Sequence, residues 1–209
     1  MAATTLHSLM IDELRDLYHA EQQLVKALPK IAEAVTADEL REALEHHLSE
    51  TEQHVSRLEK IFDLLEEPAK AKPCAGMQGI LKEGSSLIKE TKKGAARDAG
   101  IIGGGQRVEH YEVAAYGTVL AWARDMGKDD VAELLQATLD EEKAADQKLS
   151  ELAEGCLNEA AMNGDASESD EGSGETRSDS GDKRQPRQAK MAATGNGRAG
   201  TSGKTRAAR

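Results

Sequence analysis

The sequence predicts an all-α protein. Four long helices pack as a bundle, the connection between the second and third is long and carries a short extra helix, and the C-terminal tail has no fixed structure. Three observations carry this. Apolar residues recur at three- and four-residue spacing through the first three quarters of the 209 residues, where Leu, Ala, Glu and Lys dominate and Pro is nearly absent. The pattern breaks at few places, chiefly around residues 36–38 and 67–74 and at Gly94 and Gly127. From about residue 156 Gly, Ser, Asp, Glu, Arg and Ala replace the bulky apolar residues. Such a segment cannot bury enough surface to offset the entropy of ordering it. The expected division is a helical domain over residues 1–158 and an unstructured tail over residues 159–209, acidic first and then basic.

The first helix is expected over residues 5–35, with Leu6, Leu9, Leu14, Leu17, Leu24, Leu28 and Ile31 on one face and Glu21 on the same stripe. Pro29 should kink or distort its last turns. Thr36 reads as an N-cap, with Glu39 three residues on. The second helix, residues 38–65, has the inner stripe Ala43, His47, Glu50, His54, Leu58, Ile61 and Leu65. Pro68 and Pro73 bound a linker, and a shorter amphipathic helix follows over residues 76–91. The third long helix, residues 95–126, contains Gly103-Gly104-Gly105, where each Gly costs about 1 kcal/mol relative to Ala. The run reads as a close helix–helix approach. Ile102, Glu109, Glu112, Tyr116, Val119 and Ala123 share one face, and Gly127 caps the helix. The fourth helix, residues 129–158, has Val131, Leu135, Thr138, Glu142, Leu149 and Leu152 inward, with Asp146 one turn after Glu142.

Short turns within each helix pair and a long connection between the pairs describe a ferritin-like bundle rather than a simple up-and-down one. Each half is a helical hairpin with acids near mid-helix, a weak internal repeat of pattern. The net charge of −11 argues against a surface suited to nucleic acid or anionic membrane. Residues 1–155 hold 18 Lys and Arg against 30 Asp and Glu, a net of −12, and residues 156–209 a net of +1. No run of about 18 apolar residues exists to span a membrane, and no secretory signal opens the chain. Cys74 and Cys156 are therefore expected as free thiols in a cytoplasmic, reducing setting.

Every long helix thus carries a carboxylate on its apolar stripe: Glu21, Glu50, Glu109 with Glu112, and Glu142 with Asp146. Unpaired buried acids are costly and raise one another's pKa, whereas two divalent cations would neutralise them. Carboxylate with imidazole suits iron or manganese, iron being preferred here, and zinc is chemically allowed. His54, one turn from Glu50, reads as a nitrogen ligand or a hydrogen-bonded core histidine. Glu112 and Asp146 read as ligands or as groups that support one. His47 reads as packing or as support for a ligand, and Glu141 as the alternative to Glu142 if the helix is rotated. Glu109 and Glu50 are the expected bridges, with Glu21 and Glu142 terminal. His110 lies off the acid face, and Tyr116 reads as a core tyrosine with a satisfied hydroxyl. Against the di-iron pattern of four carboxylates and two Glu-x-x-His histidines, acids are plentiful and histidines few.

The segments Tyr18–Leu24, His47–Thr51, Val108–Glu112 through Thr118, and Thr138–Lys143 with Asp146 resemble the YciF-like family of bacterial ferritin-like stress proteins. The likeness covers about residues 6–157 and leaves the tail outside. It implies a ferritin-like homodimer tied to the stress response, with a two-metal site. A distant likeness to rubrerythrin-type sites supports Glu109 and Glu112 acting together. Two functions follow. One is a di-metal protein that reacts with oxygen or peroxide. The other is a non-enzymatic dimeric scaffold whose tail mediates interactions. The tail's Lys183, Arg184, Arg187, Lys190, Arg198, Lys204, Arg206 and Arg209 offer salt-dependent DNA contact, although a solvated linker is the simpler reading.

Overall fold

The computed structural model describes residues 4–163, all of whose regular structure is helical. The chain runs α1 (Leu6–Ala34), α2 (Asp38–Leu64), α3 (Ala75–Glu90), α4 (Ala95–Asp125) and α5 (Asp129–Leu152). A π-helical turn (Ala153–Leu157) then leads into α6 (Asn158–Asn163), so helix continues past the boundary expected at residue 158. The tail expected to be unstructured over residues 159–209, with its basic stretch, lies from residue 164 onward outside the described residues. No described helix is long and apolar enough to cross a membrane.

Helix ends follow local chemistry. Thr5 and Ser8 form a reciprocal cap at the start of α1, and that helix runs on through Pro29. At the end of α4, Gly127 takes φ 65°, and the amides of Gly127 and Lys128 reach back to Arg124 and Ala123. That pairing satisfies the last carbonyls of the helix, and the left-handed conformation favours Gly.

The α1–α2 turn departs from expectation. The Thr36 side chain does not cap α2; the N-cap position is Ala37. Instead the buried carboxylate of Asp98 accepts the Thr36 amide at 3.0 Å and the Ala37 amide at 2.8 Å. Asp98 belongs to the first turn of α4, so α4 starts where α2 starts and the two run parallel. The connection through residues 65–94 must therefore return along the bundle. This is the ferritin-like topology. α1 and α5 each pack against α2 and α4. The crossover is tied down where α3 begins: the Cys74 amide donates to His19 Nδ1 at 3.0 Å, and Cys74 Sγ lies 3.0 Å from Tyr111 Oη. Tyr111 in turn donates to Asp16 at 2.8 Å. Gly76 is needed here, since a Cβ would lie 2.7 Å from the Tyr111 ring.

The apolar core is two clusters rather than one. The first holds Met10, Leu14, Leu17, Leu58, Phe62, Tyr116, Val119 and Leu135. The second holds Leu24, Leu28, Leu40, Leu44, Ile101, Ile102 and Leu149. On every long helix the gap between them is filled by polar residues: Glu21 on α1; His47, Thr51 and His54 on α2; Glu109 and Glu112 on α4; Glu142 on α5. The fold therefore builds a polar layer across mid-bundle with a dry core on either side.

Candidate metal centre

Helical spacing explains which side chains enter that layer. On α2, His47 and His54 are seven residues apart, close to two turns, and Thr51 between them continues the buried face. Glu50 is rotated off it, with its side chain 23 % exposed. It reaches sideways to the imidazoles of His46 at 3.4 Å and His47 at 3.8 Å. On α4, the three-residue spacing brings Glu109 and Glu112 into the layer together.

Two groups of side chains gather there, each with ligand atoms within 4.8 Å of one another: His47, Glu109, Glu112 and Glu142, and Glu21, His54 and Glu142. Glu142 belongs to both, the position a bridging carboxylate would take, where the sequence suggested Glu109 and Glu50. Five of the seven expected ligands thus converge. Glu50 and Asp146 join neither group; Asp146 Oδ2 lies 3.3 Å from the exposed His110 ring. His47, expected as packing or as support for a ligand, lies within the first group. The seven-residue interval to His54, close to two turns, puts both rings on one face.

These groups are nearly all orphaned. Both Glu112 oxygens, both Glu142 oxygens, both His47 ring nitrogens, His54 Nδ1, Glu109 Oε2 and Glu21 Oε2 are buried without a hydrogen-bond partner. An unsatisfied buried polar atom costs about 1–3 kcal/mol, and more if charged, so a layer holding this many calls for a partner that satisfies them. Tyr116 Oη donates to Glu21 Oε1. His54 Nδ1 lies 3.0 Å from Glu142 and 3.5 Å from Glu21, out of line for a hydrogen bond with either. Its Nε2 lies 2.9 Å from Glu141 Oε2. Glu141 is itself held by Arg57, whose Nη2 donates at 2.7 Å, and Arg57 Nη1 also reaches Thr138 Oγ1 at 3.2 Å. With Nε2–H donating to Glu141, Nδ1 faces the layer, the arrangement of a carboxylate-supported metal-binding histidine once Nδ1 gives up its proton.

The protonation states tell the same story. Burial drives Glu112 and Glu109 well above the usual carboxylate range, and neighbouring acids add to it. Glu21 is raised chiefly by burial as well. Burial also works against charge on the histidines. Yet Glu50 and the layer's acids lift His47 to about 9, and Glu142 with Glu21 lifts His54 to about 11. Burial resists ionisation of Glu142 too, but the two histidines outweigh it and lower its pKa. Without cations the layer would have to hold protons in their place. The four carboxylates and two imidazoles so gathered could hold a metal ion, and carboxylate with imidazole is a donor set that iron, manganese and zinc accept.

Comparison with known proteins places the chain in a family. The model of the domain family of unknown function DUF892 matches residues 5–162. The chain belongs to this family. It is 39 % identical over 165 residues to protein YciF of Escherichia coli K12, covering 78 % of this chain and 99 % of YciF. The solved structure of YciF, described as an E. coli stress protein, matches with a TM-score of 0.72 at 38 % identity, over 75 % of this chain and 99 % of that one. YcfI from Rhodopseudomonas palustris matches with a TM-score of 0.69 at 41 % identity, over 70 % and 94 %. A Xanthomonas campestris protein at 22 % identity and a TM-score of 0.63 shares the fold.

Proposed function

We propose that this DUF892 chain is a two-metal carboxylate protein of the bacterial stress response, acting in the cytoplasm as a homodimer. The stress setting comes from the likeness to E. coli YciF. Glu21, His54 and Glu142 would hold one ion, and His47, Glu109, Glu112 and Glu142 the other, with iron preferred over manganese. The observation that carries the reading is the layer of orphaned, fully buried carboxylate and imidazole atoms between two dry cores. Cations would satisfy at one stroke groups that otherwise carry a large desolvation penalty.

Iron or manganese held there would supply one-electron redox chemistry towards oxygen or peroxide. The chain's own residues do the rest. Glu141 and Arg57 hold the His54 ring in one orientation. Tyr116 fixes one Glu21 oxygen. Glu109 and Glu112, both buried, keep their protons until a cation displaces them. The apolar clusters on either side exclude bulk water.

The test is metal analysis of full-length protein purified without chelator, followed by ferrous titration with oxygen uptake recorded. Two metal equivalents and oxygen consumption are expected. Protein that neither carries nor takes up metal would leave only a scaffold role.

A further inference from the structure

The glycine run of α4 has two different surroundings. At Gly105 a Cβ would come within 2.9 Å of Leu149, a close approach between α4 and α5. At Gly103 and Gly104 it would meet nothing within 4 Å. Helix packing therefore does not explain those two residues, although each costs about 1 kcal/mol relative to Ala. Gly104 instead borders a cleft of about 920 Å³. A small-molecule site commonly has a volume of about 300–1,000 Å³ and mainly apolar walls.

Ile31, Ala43, Ile80, Leu81, Ile88 and Ala145 line the cleft, and all are half-buried side chains that could still lose water on ligand binding. His47 and Glu109, from one half of the polar layer, border it too. His47 is 7 % exposed, and neither of its ring nitrogens has a hydrogen-bond partner. Lys26, Lys30, Lys89 and Lys148 stand around the cleft, all exposed and none in an ion pair among the described residues. The acids Glu39, Glu42 and Glu50 stand on the α2 wall, so the basic groups belong to α1, α3 and α5.

We propose that this cleft binds an amphipathic anion of the long-chain carboxylate class, its chain along the apolar walls and past Gly104, its head paired with the lysines of α1, α3 and α5. Lysines outside any ion pair on three of the walls leave a cation for an anionic head away from the acids of α2, and their aliphatic stems can lie along an apolar chain. A chain seated beside His47 and Glu109 would be next to the cations of the proposed centre. Only that consequence, a substrate role for the ligand, rests on the di-metal reading; binding itself does not.

The test is calorimetric titration of delipidated full-length protein, metal-stripped and metal-loaded, with dodecanoate. Saturable binding is expected in both forms. Gly104→Leu fills the space without a clash at Cβ and raises helix propensity. It should keep Tm and metal content while weakening dodecanoate by at least about tenfold, the scale on which a few methylenes count in an apolar pocket. Gly84→Leu, on α3 and equally free of neighbours, is the second variant should the first misfold. Exchanging the four lysines for Gln should also weaken dodecanoate. Equal binding of dodecyltrimethylammonium would overturn the anionic head. Absent dodecanoate binding, or binding that both Leu variants leave intact, would overturn the cleft. A dimer that Gly104→Leu splits, without any dodecanoate binding, would assign the cleft to a second copy of the chain and overturn the proposal as well. Dodecanoate binding by protein that neither carries nor takes up metal would sink the di-metal reading alone.

Discussion

The two halves of the polar layer share Glu142 but differ in their surroundings. Around Glu21 and His54 the fold supplies partners: Tyr116 donates to Glu21, and Glu141 with Arg57 orients His54. Around His47, Glu109 and Glu112 the contacts are looser, with His47 3.5 Å from Glu109 and 3.8 Å from Glu50, and His47 and Glu109 border the cleft. Both halves are buried, but the first is pre-oriented and the second is less firmly held. Orientation favours affinity, whereas looser contacts leave room for exchange. The first half should accordingly hold its ion more tightly, and the second should be where ions and small molecules come and go.

The largest effect tests what the halves share. Glu142→Ala removes the one carboxylate common to both groups, and metal analysis should show both equivalents lost. Retention of one full equivalent would mean that the halves do not depend on a common bridge.

Single-half variants come next. His54→Ala should lose one equivalent and Glu112→Leu the other. Glu112→Leu also replaces a buried carboxyl without partners by an apolar group of similar size. It should stabilise the metal-free protein by about 1–3 kcal/mol, or about 2–12 °C in Tm by scanning calorimetry. A lower Tm in that variant would show that Glu112 has a structural partner after all.

Titration with pH follows. In the metal-free chain His47 is raised from near 6.5 to about 9 and His54 to about 11. The folded state then binds more protons than the unfolded state above about pH 6.5. The stability these histidines contribute is fully present below that pH and lost as pH rises through about 9 and 11. The raised Glu109 and Glu112 act in the same direction from the carboxylate range upward. Metal-free Tm should fall from neutral to alkaline pH. Metal affinity should rise by about tenfold per pH unit for each proton displaced. A flat affinity profile would show that no imidazole or raised carboxyl is a ligand.

The smallest effects refine the contrast between the halves. Glu141→Ala removes the support of His54 and should weaken one ion by about 10–100-fold while sparing the other, as read by competition with a chelator. Glu50→Ala and Asp146→Asn, outside both groups, should leave metal content unchanged.

How much of the centre was legible in the sequence depends on rigidity along the helix. Glu109 and Glu112 were readable because three residues on one continuous helix fix their relative direction, and Glu21 and Glu142 because each interrupts an apolar stripe. Glu50 and His47 were not separable, because a stripe drawn through residues 43, 47, 50 and 54 or through 44, 47, 51 and 54 fits the same spacing. Only packing of α2 against α1 and α5 selects the second, which turns Glu50 outward and leaves His47 inside. Glu141 as the holder of His54, and Asp98 as the clamp on the α1–α2 turn, pair residues far apart in sequence. No local pattern announces such pairs.

The sequence by itself determined the number and order of the long helices, the short crossover helix, the ferritin-like crossover and the acids at mid-helix. These follow from periodicity, breakers and loop length, which act over a few residues. Tertiary structure alone decided that Glu21, Glu109, Glu112 and Glu142 form one layer with His47 and His54, that Glu142 lies in both halves, and that one half borders a cleft. Those depend on the rotation of each helix about its axis, which is set by the close packing of two apolar clusters and not by any single helix.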